Sequence, residues 1–340
     1  MKERILTGIT TTGLPHLGNY ISIIRPTVDL CKKSNIDMFF LLADYHALIK
    51  CKNKKVIKYS CYEILSSILA SGVNPNKTTI YRQSYIPEVL ELAWFFASLT
   101  PKGLMNRSHS YKNHIKKNIK KKLNIDYGIN IGLFSYPILM AADILSLKAN
   151  RVTVGKDQIQ HIEITRYIAN KFNKLNNYKN KTYLFNLPKA LLYNDYILPG
   201  IDGRKMSKNY NNTIPLFKGG YLYTKYFVNK IITNSFCFGV CKKSEKSPVY
   251  ILFKSFSKRK EYKNFNYLLI NGMNWNNAKK ILLDKIEKNI GNFRYSYKDL
   301  IKRADYLEEI LLLGNIKARK FLTYNLNKAK KYIGLKYKGK

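Results

Sequence analysis

The chain has 340 residues, of which 46% are hydrophobic, and it carries a formal net charge of +39. This length predicts two domains, and the hydrophobic fraction excludes a chain that is disordered throughout. No uninterrupted apolar run reaches the roughly 18 residues of a membrane-spanning helix, and the apolar run in MKERILTG is too short for a signal peptide, so we expect a cytoplasmic protein without a membrane partner.

The first 200 residues alternate between short apolar runs and amphipathic segments. The apolar runs predict strands at residues 4–9, 37–43, 78–83 and 151–154. Helices are predicted between them at 19–33, 55–71, 88–99, 135–147 and 158–172, with a kink at Pro26 because proline has no backbone N–H. This alternation predicts an α/β fold with a doubly wound parallel sheet.

A cluster of turn-forming residues, LPGIDG at 198–203, interrupts this pattern. Amphipathic helices are predicted after it at 275–288, 297–313 and 315–332. We therefore divide the chain into a first domain (1–200), a connecting loop (201–213) and a mostly α-helical part (214–340). The first domain contains a lysine-rich insertion at about 112–126, which is either a solvated, mobile surface segment or a contact for phosphate or RNA.

The net charge also has two explanations. Lysine and arginine, 60 residues together, attract polyanions, so the charge is compatible with an RNA partner. Lysine, asparagine, isoleucine and tyrosine are abundant together, and their AT-rich codons explain the same excess. The charge alone does not decide between them.

The five cysteines, at positions 31, 51, 61, 237 and 241, have no regular spacing. Cys237 and Cys241 lie four residues apart, but no second pair of cysteine or histidine residues is near enough to complete a zinc site. We expect free, reduced thiols and no metal ligated by the protein.

A glycine-containing loop, TGITTTGLPHLGNY at residues 7–20, follows the first predicted strand. Gly8 and Gly13 allow the backbone to approach a ligand, and the helix predicted to start near Gly18 supplies unpaired N–H groups and a positive dipole end. His16 and Asn19 can donate hydrogen bonds to phosphate oxygens. The loop predicts an anion site without identifying the anion.

A second loop, DGRKMSKN at residues 202–209, carries two lysines three positions apart. Taken together, HLGN near the N-terminus and KMSKN after the α/β region resemble the two signatures of class I aminoacyl-tRNA synthetases. Four further segments are similar to tryptophanyl-tRNA synthetases: LLADYHALI (41–49), NRSHSYK (106–112), residues 132–173 with MAADIL and GKDQ, and residues 198–217. The resemblance is close over residues 3–217 and only general in the helical remainder.

One face of the predicted helix at 135–147 suits an indole ring. Tyr136, Met140 and Asp143 stand at i, i+4 and i+7, and they place one carboxylate among apolar residues. The indole N–H is a donor only, so a fixed acceptor complements it. A phenylalanine bound there would leave the carboxylate unpaired, which would cost about 1–3 kcal/mol of binding free energy.

The resemblance implies a role for individual residues. The indole pocket would be walled by Leu6, His46, Met140, Val152 and Val154 beside Asp143, with Tyr136 and Gln158 holding the amino-acid head group. The ATP site would consist of Thr10, Thr11, Thr12, Gly18, Asn19, Gly155, Lys156, Asp157 and Ile197, with Lys205, Met206, Ser207, Lys208 and Asn209 closing over the triphosphate. The groups acting on the phosphates would be His16, Lys112, Lys205 and Lys208. Several of these depart from residues common in the family: Leu6, Thr10, Lys156 and Asn209, together with Thr153. His46 is also compatible with a purely structural buried histidine.

The resemblance further implies a Rossmann-type catalytic domain, a helical domain that reads the tRNA anticodon, and a homodimer with one tRNA spanning both subunits. The implied substrates are L-tryptophan, ATP and tRNA(Trp), with Mg²⁺ held mainly by the ATP phosphates and no role for DNA. Tryptophan would first form tryptophanyl-adenylate with release of pyrophosphate, and would then pass to the terminal adenosine of the tRNA. Three alternatives stay open: a tyrosyl-tRNA synthetase, a small nucleotidyltransferase, and a non-catalytic RNA-binding protein.

Overall fold

Five parallel strands form one sheet with the order β3-β2-β1-β4-β5. The computed structural model describes residues 2–175, 183–193, 197–234, 239, 241 and 247–335. The strands are β1 (Glu3–Thr10), β2 (Ile36–Ala43), β3 (Thr78–Arg82), β4 (Arg151–Thr153) and β5 (Lys189–Leu191). Because β1 pairs with β2 on one side and with β4 on the other, the chain reverses its winding direction there. The predicted α/β, doubly wound sheet is confirmed.

Helices cover both faces of the sheet and continue into the C-terminal part. In the first part they are α1 (Leu17–Asn19), a π-helical turn (Tyr20–Ile24), α2 (Arg25–Cys31), α3 (Asp44–Ala47), α4 (Lys54–Ala70), α5 (Glu88–Leu99), α6 (Lys102–Asn106), α7 (His109–Lys120), α8 (Ile131–Ser146) and α9 (Ile159–Lys174). In the second part they are α10 (Gly220–Asn229), α11 (Pro248–Phe256), α12 (Arg259–Ile270), α13 (Trp275–Ile290), α14 (Phe293–Leu300) and α15 (Ala304–Tyr332). No helix within the described ranges has the length and apolarity needed to cross a membrane.

The first helical segment is irregular near the proline, as predicted. Pro26 is at the start of α2, and the preceding turn is π-helical, with the Arg25 N–H donating to the Tyr20 carbonyl. Proline cannot donate to the preceding turn, so an irregular hydrogen-bonding pattern is tolerated at this point. This π-helical turn directly follows the glycine-containing loop.

Two apolar clusters hold the sheet between its helical layers. One joins the first helical segment and α4 to α10–α14, and the other joins α5, α8 and α9 to the sheet. Strand β2 contributes to both, since Phe40 and Leu42 face the first cluster and Phe39 and Leu41 face the second. Burial on both faces is typical of a parallel strand at the centre of a doubly wound sheet.

The last helix, α15, returns to the sheet. Two separate helices were predicted at 297–313 and 315–332, but the structure contains one continuous helix from residue 304, and the break lies at residues 301–303. Gly314 lies against β3, where a Cβ atom would be 1.7 Å from the Ile80 carbonyl oxygen. The Asn315 side chain accepts a hydrogen bond from the backbone N–H of Arg82, at 2.9 Å. The C-terminal helix therefore covers the edge strand of the sheet.

Part of the lysine-rich insertion is helical. Residues 109–120 form α7, and the buried amide of Asn118 donates to the carbonyl oxygens of Ile125 and Tyr127, at 2.8 Å each. These two bonds fold the following loop back onto the helix. The lysines of the segment lie on its exposed side, with Lys116, Lys117 and Lys120 all exposed.

The described cysteines, Cys31, Cys51, Cys61 and Cys241, are free thiols. Cys237 lies outside the described residues. Burial raises the pKa of the Cys61 thiol to about 11, so this side chain is a packed, unreactive part of the core.

Candidate active site

A cavity of about 560 Å³ opens at the carboxyl ends of β1 and β4. This is the point of the sheet at which the winding direction changes, and open α/β sheets bind their ligands there. The predicted site residues that line it are Leu6, Thr10, Thr12, His16, Gly18, Asn19, His46, Tyr136, Met140, Asp143, Val152, Val154, Gly155, Lys156, Asp157, Gln158, Ile197, Lys205, Met206, Ser207, Lys208 and Asn209.

Thr11 and Lys112 are the two predicted residues that do not line the cavity. Thr11 is fully buried and interacts with Cys61 on α4, because side chains alternate in direction along the extended chain that leaves β1. Lys112 is exposed on α7, whereas Ser110 and His114, four residues apart on one face of that helix, line the cavity. The structure does not bring either predicted residue to the cavity.

The first loop places His16 directly before the helix. The backbone N–H of His16 donates to the Asn19 side chain at 3.1 Å, and the imidazole is buried with an unpaired Nδ1. Burial lowers the pKa of His16 to about 3, and the neighbouring Lys208 and Lys205 add to the shift. His16 is therefore a neutral imidazole at physiological pH, which can donate one hydrogen bond but contributes no charge.

Gly18 is required by the position of that imidazole. A Cβ atom on residue 18 would lie 2.9 Å from both Cε1 and Nδ1 of His16. Real Cβ atoms do not approach other heavy atoms so closely, so a side chain here would displace the histidine. The HLGN sequence thus combines a histidine with the glycine that leaves space for it.

The second loop is bound to the first and organised by Asn212. The Leu17 N–H donates to the Ile214 carbonyl and the Leu216 N–H to the Pro15 carbonyl, both at 3.0 Å. The Asn212 amide is buried; it accepts from the Ser207 N–H at 2.8 Å and donates to the Lys205 carbonyl at 3.0 Å. These bonds fix the backbone that carries both loop lysines.

Both loop lysines have partners across the cavity. The Lys205 ammonium forms an ion pair with Asp157 at 2.8 Å, and the Lys208 ammonium donates to the Gly13 carbonyl at 2.8 Å. Burial works to raise the pKa of Asp157, but the Lys205 ammonium and the hydrogen bonds from Gln158 and the backbone together lower it. Burial lowers the pKa of Lys208 to about 8. The second loop thus contacts the segment after β4 through Lys205 and the first loop through Lys208.

Asp143 is the acceptor at the bottom of the apolar end of the cavity. It is 3% exposed, and burial raises its pKa against the opposing effects of His46 and Gln83. The Gln83 amide donates to both carboxylate oxygens, at 2.9 and 2.8 Å, and His46 Nε2 lies 3.0 Å from Oδ2. A carboxylate can accept about four hydrogen bonds, so capacity for a further donor remains.

A second polar group lies at the rim of this apolar end. The Tyr136 hydroxyl lies 2.8 Å from Nε2 of His161, and Nδ1 of His161 lies 2.8 Å from Oε1 of Gln158. Tyr136 and Gln158 line the cavity, while His161 is buried behind them. The two residues predicted to hold the head group are therefore connected by one histidine.

Three residues of this site were missed in the sequence. Gln83 is brought to Asp143 by the end of β3, Asn212 organises the second loop, and Lys50 lines the cavity after α3. Burial lowers the pKa of Lys50, with further contributions from Lys117 and Lys205. Gln83 ends a predicted strand, Asn212 lies in the predicted connecting loop and Lys50 follows a predicted strand, but nothing in the local sequence distinguishes them from ordinary polar surface residues.

The described part of the chain contains no cluster of three or more histidine, cysteine, aspartate or glutamate residues able to hold a metal ion. The cavity contains apolar walls, a buried carboxylate and the two lysine-bearing loops. This combination suits an aromatic ligand with one N–H donor beside a polyphosphate.

The family of class I tRNA synthetases for W and Y matches residues 2–295. The chain is 45% identical over 336 residues to the tryptophan–tRNA ligase of Bordetella pertussis, covering 98% of this chain and 74% of the relative. It is 44% identical to that of Neisseria meningitidis over 98% of both chains. The crystal structure of tryptophanyl-tRNA synthetase from Campylobacter jejuni, complexed with ADP and tryptophan, is 34% identical with a TM-score of 0.80, covering 98% of this chain and 100% of that chain. The chain therefore belongs to the tryptophan–tRNA ligases, a family of class I aminoacyl-tRNA synthetases.

Proposed function

We propose that both steps of tryptophan–tRNA ligation take place in the cavity at the carboxyl ends of β1 and β4. The first joins L-tryptophan to the adenylate of ATP and releases pyrophosphate, and the second transfers tryptophan to the terminal adenosine of tRNA(Trp). The observation that carries this proposal is the buried Asp143 carboxylate at the apolar end of a cavity whose other end holds Lys205 and Lys208.

The apolar end would bind the amino acid. Asp143 would accept the indole N–H, and Leu6, Met140, Val152 and Val154 would pack around the ring. His46 and Gln83 already donate to the carboxylate, so they hold it in one orientation. Tyr136 and Gln158 at the rim would accept hydrogen bonds from the α-ammonium group. This arrangement directs the substrate carboxylate towards the two loops.

The two loops would bind MgATP as substrate, with the metal held by the phosphates. The tryptophan carboxylate attacks the α-phosphorus in line, the bond to the bridging oxygen breaks, and pyrophosphate leaves with the electron pair. The neutral His16 donates a hydrogen bond, and Lys205 and Lys208 offset the charge developing on the phosphates. Thr10, Thr12, Gly18 and Asn19 would line the nucleotide, with Ile197 against adenine. Positioning and charge suffice, and no side-chain nucleophile is required.

Transfer to tRNA completes the reaction. A ribose hydroxyl of the terminal adenosine attacks the adenylate carbonyl, and AMP leaves. We propose that the helical part of the chain, residues 214–340, contacts the anticodon. We also propose that the enzyme acts in the cytoplasm, where its tRNA and ATP are found. The measurement that tests the tRNA part is charging of transcribed tRNA(Trp), with a tRNA of altered anticodon as control.

We further propose a homodimer. Leu90 and Trp94, one turn apart on α5, are exposed, and the Trp94 side chain is 74% exposed. An exposed tryptophan on a helix that also bears an exposed leucine is typical of a face that another chain covers. Light scattering should give twice the monomer mass for the parent enzyme and a monomer for Trp94→Glu. A Trp94→Glu protein that remains dimeric would exclude this face as the contact.

The amino-acid specificity is tested by ATP–pyrophosphate exchange with each of the twenty amino acids. Only tryptophan should support rapid exchange, because only indole combines the required size with one N–H donor. Exchange with tyrosine and not with tryptophan would show that this enzyme has the tyrosine specificity of other class I synthetases. Absence of exchange with every amino acid, with ATP still bound, would favour a non-catalytic RNA-binding protein.

A further inference from the structure

His161 is a buried residue with contacts to both proposed head-group ligands. It is 1% exposed and does not line the cavity. Its two ring nitrogens are both occupied, Nδ1 by Gln158 and Nε2 by Tyr136, each at 2.8 Å. A single neutral imidazole has one donor and one acceptor nitrogen, so these two contacts must be of opposite kind.

The direction of each bond follows from Asp157. The Gln158 amide nitrogen donates to the Asp157 carboxylate at 3.1 Å, and a carboxylate can only accept. The amide oxygen of Gln158 therefore faces His161, and Nδ1 of His161 must carry the proton and donate to it. Nε2 is then the acceptor, and the Tyr136 hydroxyl donates its only proton to it.

This arrangement leaves two oxygens as acceptors at the rim. The Tyr136 oxygen has given its proton to His161 and, beside the lone pair that faces Ser110, retains a second one, and the Gln158 amide oxygen also retains a second lone pair. The α-ammonium group of an amino acid has three N–H donors and no acceptor. We infer that His161 is a positioning residue for amino-acid recognition: its Nδ1–H tautomer turns Tyr136 and Gln158 into a matched pair of acceptors for the α-ammonium group.

The electrostatic environment keeps His161 in the neutral form. Burial lowers its pKa to about 4, with His109 and His46 adding to the shift and Asp157 opposing it. A protonated ring would donate from both nitrogens, so Tyr136 would have to accept, and a positive charge would lie beside the substrate ammonium. Burial also raises the pKa of Tyr136, against an opposing hydrogen bond from Ser110, so its hydroxyl keeps the proton that it donates.

The inference rests on the proposed function, because it takes Tyr136 and Gln158 as the ammonium contacts. The experiment compares the dissociation constants of L-tryptophan and of indole-3-propionate, which is tryptophan without its amino group. His161→Leu should weaken tryptophan binding about tenfold or more, as expected for disturbed hydrogen bonds to a charged group. Indole-3-propionate should bind within about twofold of its parent value, since it makes no ammonium contact.

Two conservative variants separate the two bonds. Asparagine places an amide nitrogen near the Nδ1 position, so His161→Asn retains the donor to Gln158. Glutamine places an amide oxygen near the Nε2 position, so His161→Gln retains the acceptor for Tyr136. Each should recover part of the tryptophan affinity lost in His161→Leu. His109→Leu is the matched control, because the exposed His109 side chain does not line the cavity and should leave both affinities unchanged.

Each outcome has a defined meaning. Equal losses for tryptophan and indole-3-propionate would show that His161 only packs the site, and unchanged tryptophan binding in all three variants would also overturn the inference. If the parent enzyme binds the two ligands equally, the ammonium site itself is wrong, and the proposed function fails at that point rather than at His161. The Asn and Gln variants keep the test valid if the leucine variant does not fold.

Discussion

Removing the Asp143 carboxylate tests the basis of amino-acid selection most directly. A hydrogen bond from the indole N–H to a buried, charged acceptor contributes about 1.5–3 kcal/mol, which corresponds to about 10- to 150-fold in kcat/KM. Asp143→Ala should lose this full amount in tryptophan-dependent ATP–pyrophosphate exchange. In the parent enzyme the Gln83 amide donates to both Asp143 oxygens, at 2.9 and 2.8 Å. Asp143→Asn keeps one of these oxygens as an acceptor and replaces the other with an NH₂ group, which cannot accept from Gln83. We expect a loss at the lower end of the range.

The decisive quantity is the ratio of kcat/KM for tryptophan to that for phenylalanine. It should fall with Asp143→Ala because phenylalanine has no N–H to lose, while the KM for ATP should change little. Asp44→Asn is the matched control: Asp44 is also a buried carboxylate and accepts from the Ser84 N–H at 2.9 Å, but it does not line the cavity. An unchanged ratio in the Asp143 variants, or an equal fall in Asp44→Asn, would refute the assignment.

Three further predictions concern the loops and the last helix. Lys208 has a pKa of about 8, so its charge is lost as the pH rises through that value. The kcat of ATP–pyrophosphate exchange should therefore fall between about pH 7 and 9, by more than the affinity for ATP falls, and Lys208→Arg, which stays charged, should remove this dependence. Gly18→Ala, whose Cβ would be 2.9 Å from the His16 ring, should lower kcat about tenfold or more, whereas Gly103→Ala, where a Cβ meets nothing within 4 Å, should not. Gly314→Ala puts a Cβ 1.7 Å from a β3 carbonyl, so thermal unfolding should shift downward by several degrees, and an unchanged Tm would mean that α15 does not pack as described.

Local periodicity was sufficient for most of the α/β half. The four predicted strands are within one residue of the observed bounds at each end, because buried parallel strands are apolar along their length. Strand β5, Lys189–Leu191, was not predicted, since three residues at the sheet edge carry no periodic signal. Helix α7 was not predicted either: the lysine-rich segment at about 112–126 was interpreted as a mobile surface segment or a phosphate or RNA contact, because lysines dominate its composition. In both cases the element is stabilised by pairing or packing with residues that are distant in the sequence, and local periodicity does not show these contacts.

The cavity-lining residues could be predicted where they lie together in one short segment of the sequence. The spacing of Tyr136, Met140 and Asp143 on one helix was visible in the sequence, and all three line the cavity. Gln83 was not predictable, because its role exists only once the end of β3 lies beside α8, sixty positions along the chain. Lys112 illustrates the opposite case: the resemblance placed it at the phosphates, but in the structure it is exposed on α7 and does not line the cavity.

The contacts of the two loop lysines bear on how the site divides its binding energy. In the structure the Lys205 ammonium pairs with Asp157 and the Lys208 ammonium donates to the Gly13 carbonyl, so both groups have partners before ATP binds. Ground-state phosphates must displace these partners, and the gain on binding is only the difference between old and new contacts. In the proposed reaction, the negative charge on the departing pyrophosphate increases as the bond breaks. The interaction of the two ammonium groups with it would then be stronger than their interactions with Asp157 and the Gly13 carbonyl. Interactions that strengthen only along the reaction path raise kcat rather than affinity. On the proposed function, we therefore expect the lysines to contribute more to the chemical step than to the binding of ATP, because each ammonium group already has a partner within the protein.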